Sequence, residues 1–118
     1  GLRASAFFKL EKYKDAVKDF KKWNFLPQSL QPDKLTFQYG KSLFMLKRYK
    51  ESEGMFSIIE QKYPESEFLE ETLFLWSKIL KKNREQKLAG KKLLKIYQTG
   101  GKYKDRAYKE LKKIYAVR

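Results

Sequence analysis

Twenty-eight lysines and arginines, set against fourteen acidic residues, are the side chains of this 118-residue chain best placed to act on a partner. The formal net charge of +14 exceeds the roughly 2–8 units that suffice to keep a small domain soluble. Such a balance attracts anions: nucleic acid, anionic lipid or an acidic protein surface. The charge is concentrated. From Lys78 to the end there are fifteen basic residues and three acidic ones, Glu85, Asp105 and Glu110. Within that stretch Lys78, Lys81, Lys82, Arg84, Lys87, Lys91, Lys92 and Lys95 form a dense basic zone, with Tyr97 and Tyr103 near its end. Contacts to phosphate need little more than this. Motifs that read nucleic-acid sequence are missing, and arginine, the side chain suited to base edges, occurs only five times.

Catalytic chemistry has little to work with. There is no cysteine and no histidine, which excludes disulfides, thiol nucleophiles, histidine bases and zinc-finger ligand sets. The carboxylate pair Glu70-Glu71 sits near a helix start, where it complements free N–H groups and the helix dipole. No second pair faces it across a cleft. The expectation is a protein that is not an enzyme and that takes no cofactor and no metal.

The elements that must position these lysines are helices. Apolar residues recur at helical spacing in seven segments: about 2–10, 13–25, 34–46, 51–62, 68–81, 85–97 and 104–115. Ala16, Val17, Phe20 and Trp23 share one face of the second. The prolines of "LPQSLQPDK" force a loop after it, and "TGGK" breaks the chain before the last segment. No stretch alternates with period two, so the chain reads as all-α. Short links make sequential helices pack antiparallel.

The hairpins repeat. At an offset of 36, Ala4 aligns with Gly40, Leu10 with Leu46, Lys12-Tyr13-Lys14 with Arg48-Tyr49-Lys50, Ala16 with Ser52, Phe20 with Phe56 and Trp23 with Ile59. At an offset of 37, Gly40 aligns with Ser77, Leu43 with Leu80, Ser52 with Ala89, Phe56 with Leu93 and Ile59 with Ile96. The last segment begins a fourth copy, with Tyr108, Leu111 and Tyr115 on its apolar face. Small residues at matching places let neighbouring helices approach, and each hairpin leaves apolar surface that the next one covers.

In these residues the chain resembles tetratricopeptide (TPR) repeats, helix pairs of about 34 residues. Tyr39-Gly40, Leu43, Ser52, Phe56, Ile59 and Pro64 occupy the family's positions in the second copy. Leu73, Trp76-Ser77, Leu80, Ala89, Leu93 and Ile96 do so in the third, which lacks the closing proline. The resemblance implies one domain over 1–118, a short right-handed α-solenoid with repeats about 1–30, 33–66 and 70–101 and a partial copy at 104–118. More narrowly, "KYPES" and its surroundings look like bacterial cell-envelope proteins of this class, such as the outer-membrane assembly lipoprotein BamD and the periplasmic partner of the Tol–Pal system. That likeness implies a periplasmic or outer-membrane-associated adaptor.

The family's geometry puts first helices on a concave side. By that resemblance the inward residues are Lys34, Phe37, Lys41, Phe44 and Met45 in the second repeat, Glu71, Phe74, Lys78, Lys81 and Lys82 in the third, and Arg106, Lys109 and Lys113 on the last helix. Rigid aromatics flanked by lysines suit a partner segment that mixes acidic and hydrophobic residues. The expected function is a non-catalytic protein-binding scaffold; nucleic-acid binding through the basic half is the alternative, and adhesion to an anionic membrane surface a third reading. Core packing is the competing role for Phe37, Phe44 and Phe74. No apolar run approaches the roughly 20 residues of a membrane span. "GLRASAFF" lacks the apolar stretch of a signal peptide and reads like the middle of a helix, so the expectation is a fragment of a longer protein.

Overall fold

Apolar residues recur three and four apart along each segment, and each segment forms a helix; in the last one only Ala107 is buried, and Tyr108 and Tyr115, expected on its apolar face, are exposed. The computed structural model describes residues 2–22 and 31–116. α1 spans Leu2–Lys9, α2 Tyr13–Lys22, α3 Pro32–Met45, α4 Tyr49–Lys62, α5 Leu69–Lys82, α6 Gln86–Thr99 and α7 Lys104–Ile114. No strand occurs among the described residues, and the fold class is all-α. Trp23 and the end expected for the second helix lie outside the described residues, as does Pro27. One boundary differs for a clear reason. The expected loop at 26–34 includes Pro32, yet Pro32 opens α3. At a first helical position the missing N–H is no loss, and proline's fixed φ suits the helix.

The hairpin turns repeat at the spacing of the sequence. Among the described residues, Glu11, Lys47 and Arg84 are the non-glycine residues with positive φ, at 59°, 63° and 62°. They stand 36 and 37 residues apart. Around each, the same two hydrogen bonds close the preceding helix. Lys12, Arg48 and Glu85 donate their N–H to the carbonyls of Phe7, Leu43 and Leu80 at 2.8, 2.9 and 2.8 Å. Glu11, Lys47 and Arg84 donate to Phe8, Phe44 and Lys81 at 2.9, 2.9 and 3.0 Å. This is the Schellman arrangement, which satisfies two orphan carbonyls and reverses the chain. The first two turns also carry an edge-on aromatic pair, Phe8–Tyr13 at 6.1 Å and Phe44–Tyr49 at 5.5 Å.

The chain divides into two compact units, Gly1–Phe68 and Leu69–Arg118, parted at the joint between the second and third expected repeats. In unit 1, α1 packs on α2, α2 on α3 and α3 on α4. Ala4, Ala16 and Phe20 form one core cluster, with Phe20 stacked on Tyr39 at 5.3 Å. Gly40, Leu43, Phe56 and Ile59 are buried between α3 and α4. The hydroxyl of Ser52 donates to the Gly40 carbonyl at 2.8 Å, so the small residue also ties the two helices. In unit 2, α6 packs on both α5 and α7, with Leu73, Ser77, Leu80, Ala89, Leu93, Ile96 and Ala107 buried.

Each unit also has a clasp from the first turn of a helix to a link 33 residues on. In unit 1 the Ser66 hydroxyl donates to Asp33 Oδ2 at 2.6 Å and accepts from the Phe68 N–H at 3.1 Å. In unit 2 the Tyr103 N–H donates to Glu70 Oε1 at 2.9 Å. A Cβ on Gly101 would collide with the Glu70 carboxylate, so glycine there admits the clasp. Glu70 thus holds the α6–α7 link, a role beyond the helix-start charge expected of it.

Candidate functional site

α3 carries the unit 1 candidates. Phe37 keeps only 3% of its surface and stacks on Phe68 at 5.0 Å. Its ring belongs to the core, the competing role weighed for it. Lys41 Nζ lies 5.9 Å from that ring's centroid. Phe44 is half-buried against Tyr49, Lys34 is half-buried, and Met45 is exposed at the helix end.

Unit 2 repeats part of this pattern 37 residues on. Lys78 Nζ sits 5.2 Å from the Phe74 centroid, as Lys41 does over Phe37. Phe74 remains half-buried, however, because its aromatic neighbour is Tyr103 at a tilted 5.5 Å. Arg106 continues the series, its guanidinium 5.1 Å from the Tyr103 centroid. Alternating cations and rings of this kind each contribute about 0.5–1 kcal/mol at exposed sites.

α5 and α7 frame a hollow of about 500 Å³, lined by Phe74, Arg106, Lys109, Glu110, Lys112 and Lys113 with Ala116. Four of the sequence-predicted residues, Phe74, Arg106, Lys109 and Lys113, therefore share one site. Lys81 joins it through Glu110: its Nζ donates to Glu110 Oε1 at 2.8 Å. Lys113 donates to the other oxygen at 3.3 Å. Glu71 is half-buried and Lys82 exposed, and neither lines the hollow. Glu110 and Lys112 were not among the residues expected to face a partner, and Tyr103 was expected only beside the basic zone that could meet nucleic acid. Glu110 has a local partner in Lys113, three residues on, but its shorter bond is to Lys81, 29 residues earlier, which helical spacing does not reveal.

The hydrogen bond from Lys81 holds the Glu110 carboxyl below the usual carboxylate range; partial burial opposes this, and Lys113 adds to the lowering. A depressed folded value means stability that is present above the unfolded pKa of about 4.3 and is lost as pH falls through the folded value. Glu110→Gln is expected to lower stability by about 0.5–1 kcal/mol at neutral pH. Urea midpoints of the two proteins should converge as the pH falls below the carboxylate range; a gap that persists there would mean the carboxylate's charge is not what matters.

No metal-binding group of three or more acidic residues occurs among the described residues, and no helix among them is long and apolar enough to cross a membrane. No protein-family model, curated protein or solved structure matches this chain. The candidate site therefore rests on geometry: a basic hollow with one aromatic wall and an internal carboxylate that fixes two of its lysines.

Proposed function

We propose that the protein is a non-catalytic TPR-like scaffold that binds an acidic, partly hydrophobic segment of another protein. The hollow framed by α5 and α7 carries this reading. Phe74 supplies a rigid apolar wall, and Arg106, Lys109 and Lys113 supply charge around it. Such a combination anchors a hydrophobic side chain while complementary charge steers and registers the segment. The scaffold half of the reading is supported by the hairpin turns, the same at Glu11, Lys47 and Arg84 in φ and in hydrogen bonding. Repetition of one supersecondary unit is what a short right-handed solenoid requires.

The test is a titration by anisotropy with a labelled peptide that alternates glutamate with leucine and phenylalanine. The triple variant Arg106→Glu/Lys109→Glu/Lys113→Glu is expected to weaken binding roughly tenfold or more. A control triple, Lys9→Glu/Lys14→Glu/Lys18→Glu, changes net charge equally on exposed residues of unit 1 and should change it far less. Equal losses in both would reduce the interaction to bulk charge and sink the proposed site.

A further inference from the structure

A second surface of unit 2 shares only Lys112 with the hollow. Tyr97 of α6 and Tyr108 of α7 stack at 5.7 Å with 28° between their planes. They remain 38% and 48% exposed. Each has its own cation: Lys104 Nζ lies 5.0 Å from the Tyr97 centroid, and Lys112 Nζ 5.1 Å from that of Tyr108. α6 itself contains Lys87, Lys91, Lys92 and Lys95 and no acidic residue.

Stacked tyrosines left open to solvent are a costly use of aromatic surface in a monomer, and flat π-systems are the natural complement to their rings. Rings that each carry their own cation, beside a helix rich in lysine and without carboxylates, call for an anionic ligand. The ligand class that offers flat rings and a regular line of negative charge together is a single-stranded nucleic acid. Its bases stack on aromatic side chains without regard to sequence, while lysines follow its phosphates. A duplex hides its base faces, and an acidic peptide has no row of planar groups.

We propose that the α6–α7 face, centred on Tyr97 and Tyr108 with Lys104 and Lys112, binds single-stranded nucleic acid with little sequence preference. The inference rests on other aromatic residues than the peptide-binding hollow does, with Lys112 common to both. Its test uses the whole chain and a fluorescein-labelled oligothymidylate, titrated between about 50 and 200 mM salt. Tyr97→Ala/Tyr108→Ala is expected to weaken binding by about tenfold or more, and Tyr97→Phe/Tyr108→Phe to retain it. Lys104→Gln/Lys112→Gln should reduce the slope of log affinity against log salt by about 1.4, two single-strand phosphates' worth. Circular dichroism confirms that each variant is folded; the phenylalanine and glutamine pairs decide the matter should the alanine pair unfold. The proposal is overturned by any of three results: no binding at the lowest salt, equal affinity for heparin or for duplex with no dependence on the tyrosines, or preference for phosphatidylserine vesicles over the oligonucleotide.

Discussion

Gly40→Leu is expected to unfold the joint between α3 and α4, with a loss of about 3 kcal/mol or more. A Cβ placed on Gly40 lies 2.8 Å from Phe56 Cε1 and 3.0 Å from the Met55 Cβ. Phe56 is fully buried, so its ring has no solvent to retreat into. The Gly40 carbonyl also accepts the Ser52 hydroxyl, and a displaced α3 would lose that bond too. Gly40→Ala is milder. Alanine gains about 1 kcal/mol of helix propensity over glycine, offsetting part of a steric cost of about 1–3 kcal/mol. The equivalent place in the first copy is Ala4, which shares a cluster with Phe20, so alanine beside phenylalanine can be accommodated once the helices adjust. Chemical denaturation should rank wild type above Gly40→Ala and Gly40→Ala well above Gly40→Leu. In the third copy Ser77 accompanies Leu93 in place of Phe56. Phe56→Leu introduced into Gly40→Ala should therefore cost less than it does in the wild type. A non-additive gain of that sign is the mark of a direct contact.

How far the sequence predicts the fold depends on the range of the interaction. Small residues at Ala4, Gly40 and Ser77, and large ones at Phe20, Phe56 and Leu93, lie on the buried faces of regular helices. Their spacing is local information, and the burial pattern follows it. The turn residues were less legible. Glu11, Lys47 and Arg84 adopt the left-handed conformation, which usually announces itself through glycine or asparagine. Here no residue type marks it; two backbone hydrogen bonds per turn enforce it. Phe37 and Phe74 look alike in sequence, each with a lysine four residues on. They differ because Phe68 covers the first almost fully, while Tyr103 only leans against the second. Those neighbours are 31 and 29 residues away, and periodicity carries no information at that distance. The same holds for the bond from Lys81 to Glu110, which joins two helices, whereas Lys113 meets Glu110 within one. The lysines of the hollow were legible as a cluster, but the carboxylate that organises two of them was not.

Adjacent leucines on α6 provide a sharp test of the repeat register. Leu93 is fully buried, whereas Leu94, one residue on, is 46% exposed. The 37-residue offset assigns Leu93 to the place of Phe56 and Leu94 to that of Ser57. Leu93→Ala is expected to destabilise by about 2–5 kcal/mol, the transfer loss of the deleted atoms plus the cavity they leave. Leu94→Ala should stay within about 0.5 kcal/mol, the range of a surface change. Leu93 lies in unit 2, where α6 packs between α5 and α7, so its cavity touches the framework of both proposed binding surfaces. The stability loss should therefore appear together with weaker peptide capture as the folded fraction falls. Corrected for that fraction, capture by Leu93→Ala should match wild type, because the side chain contacts no ligand. Urea titrations in which the two alanine variants behave alike would shift α6 by one residue against its neighbours. They would remove Leu93 from the position it shares with Phe20 and Phe56, and with it the third copy of the repeat.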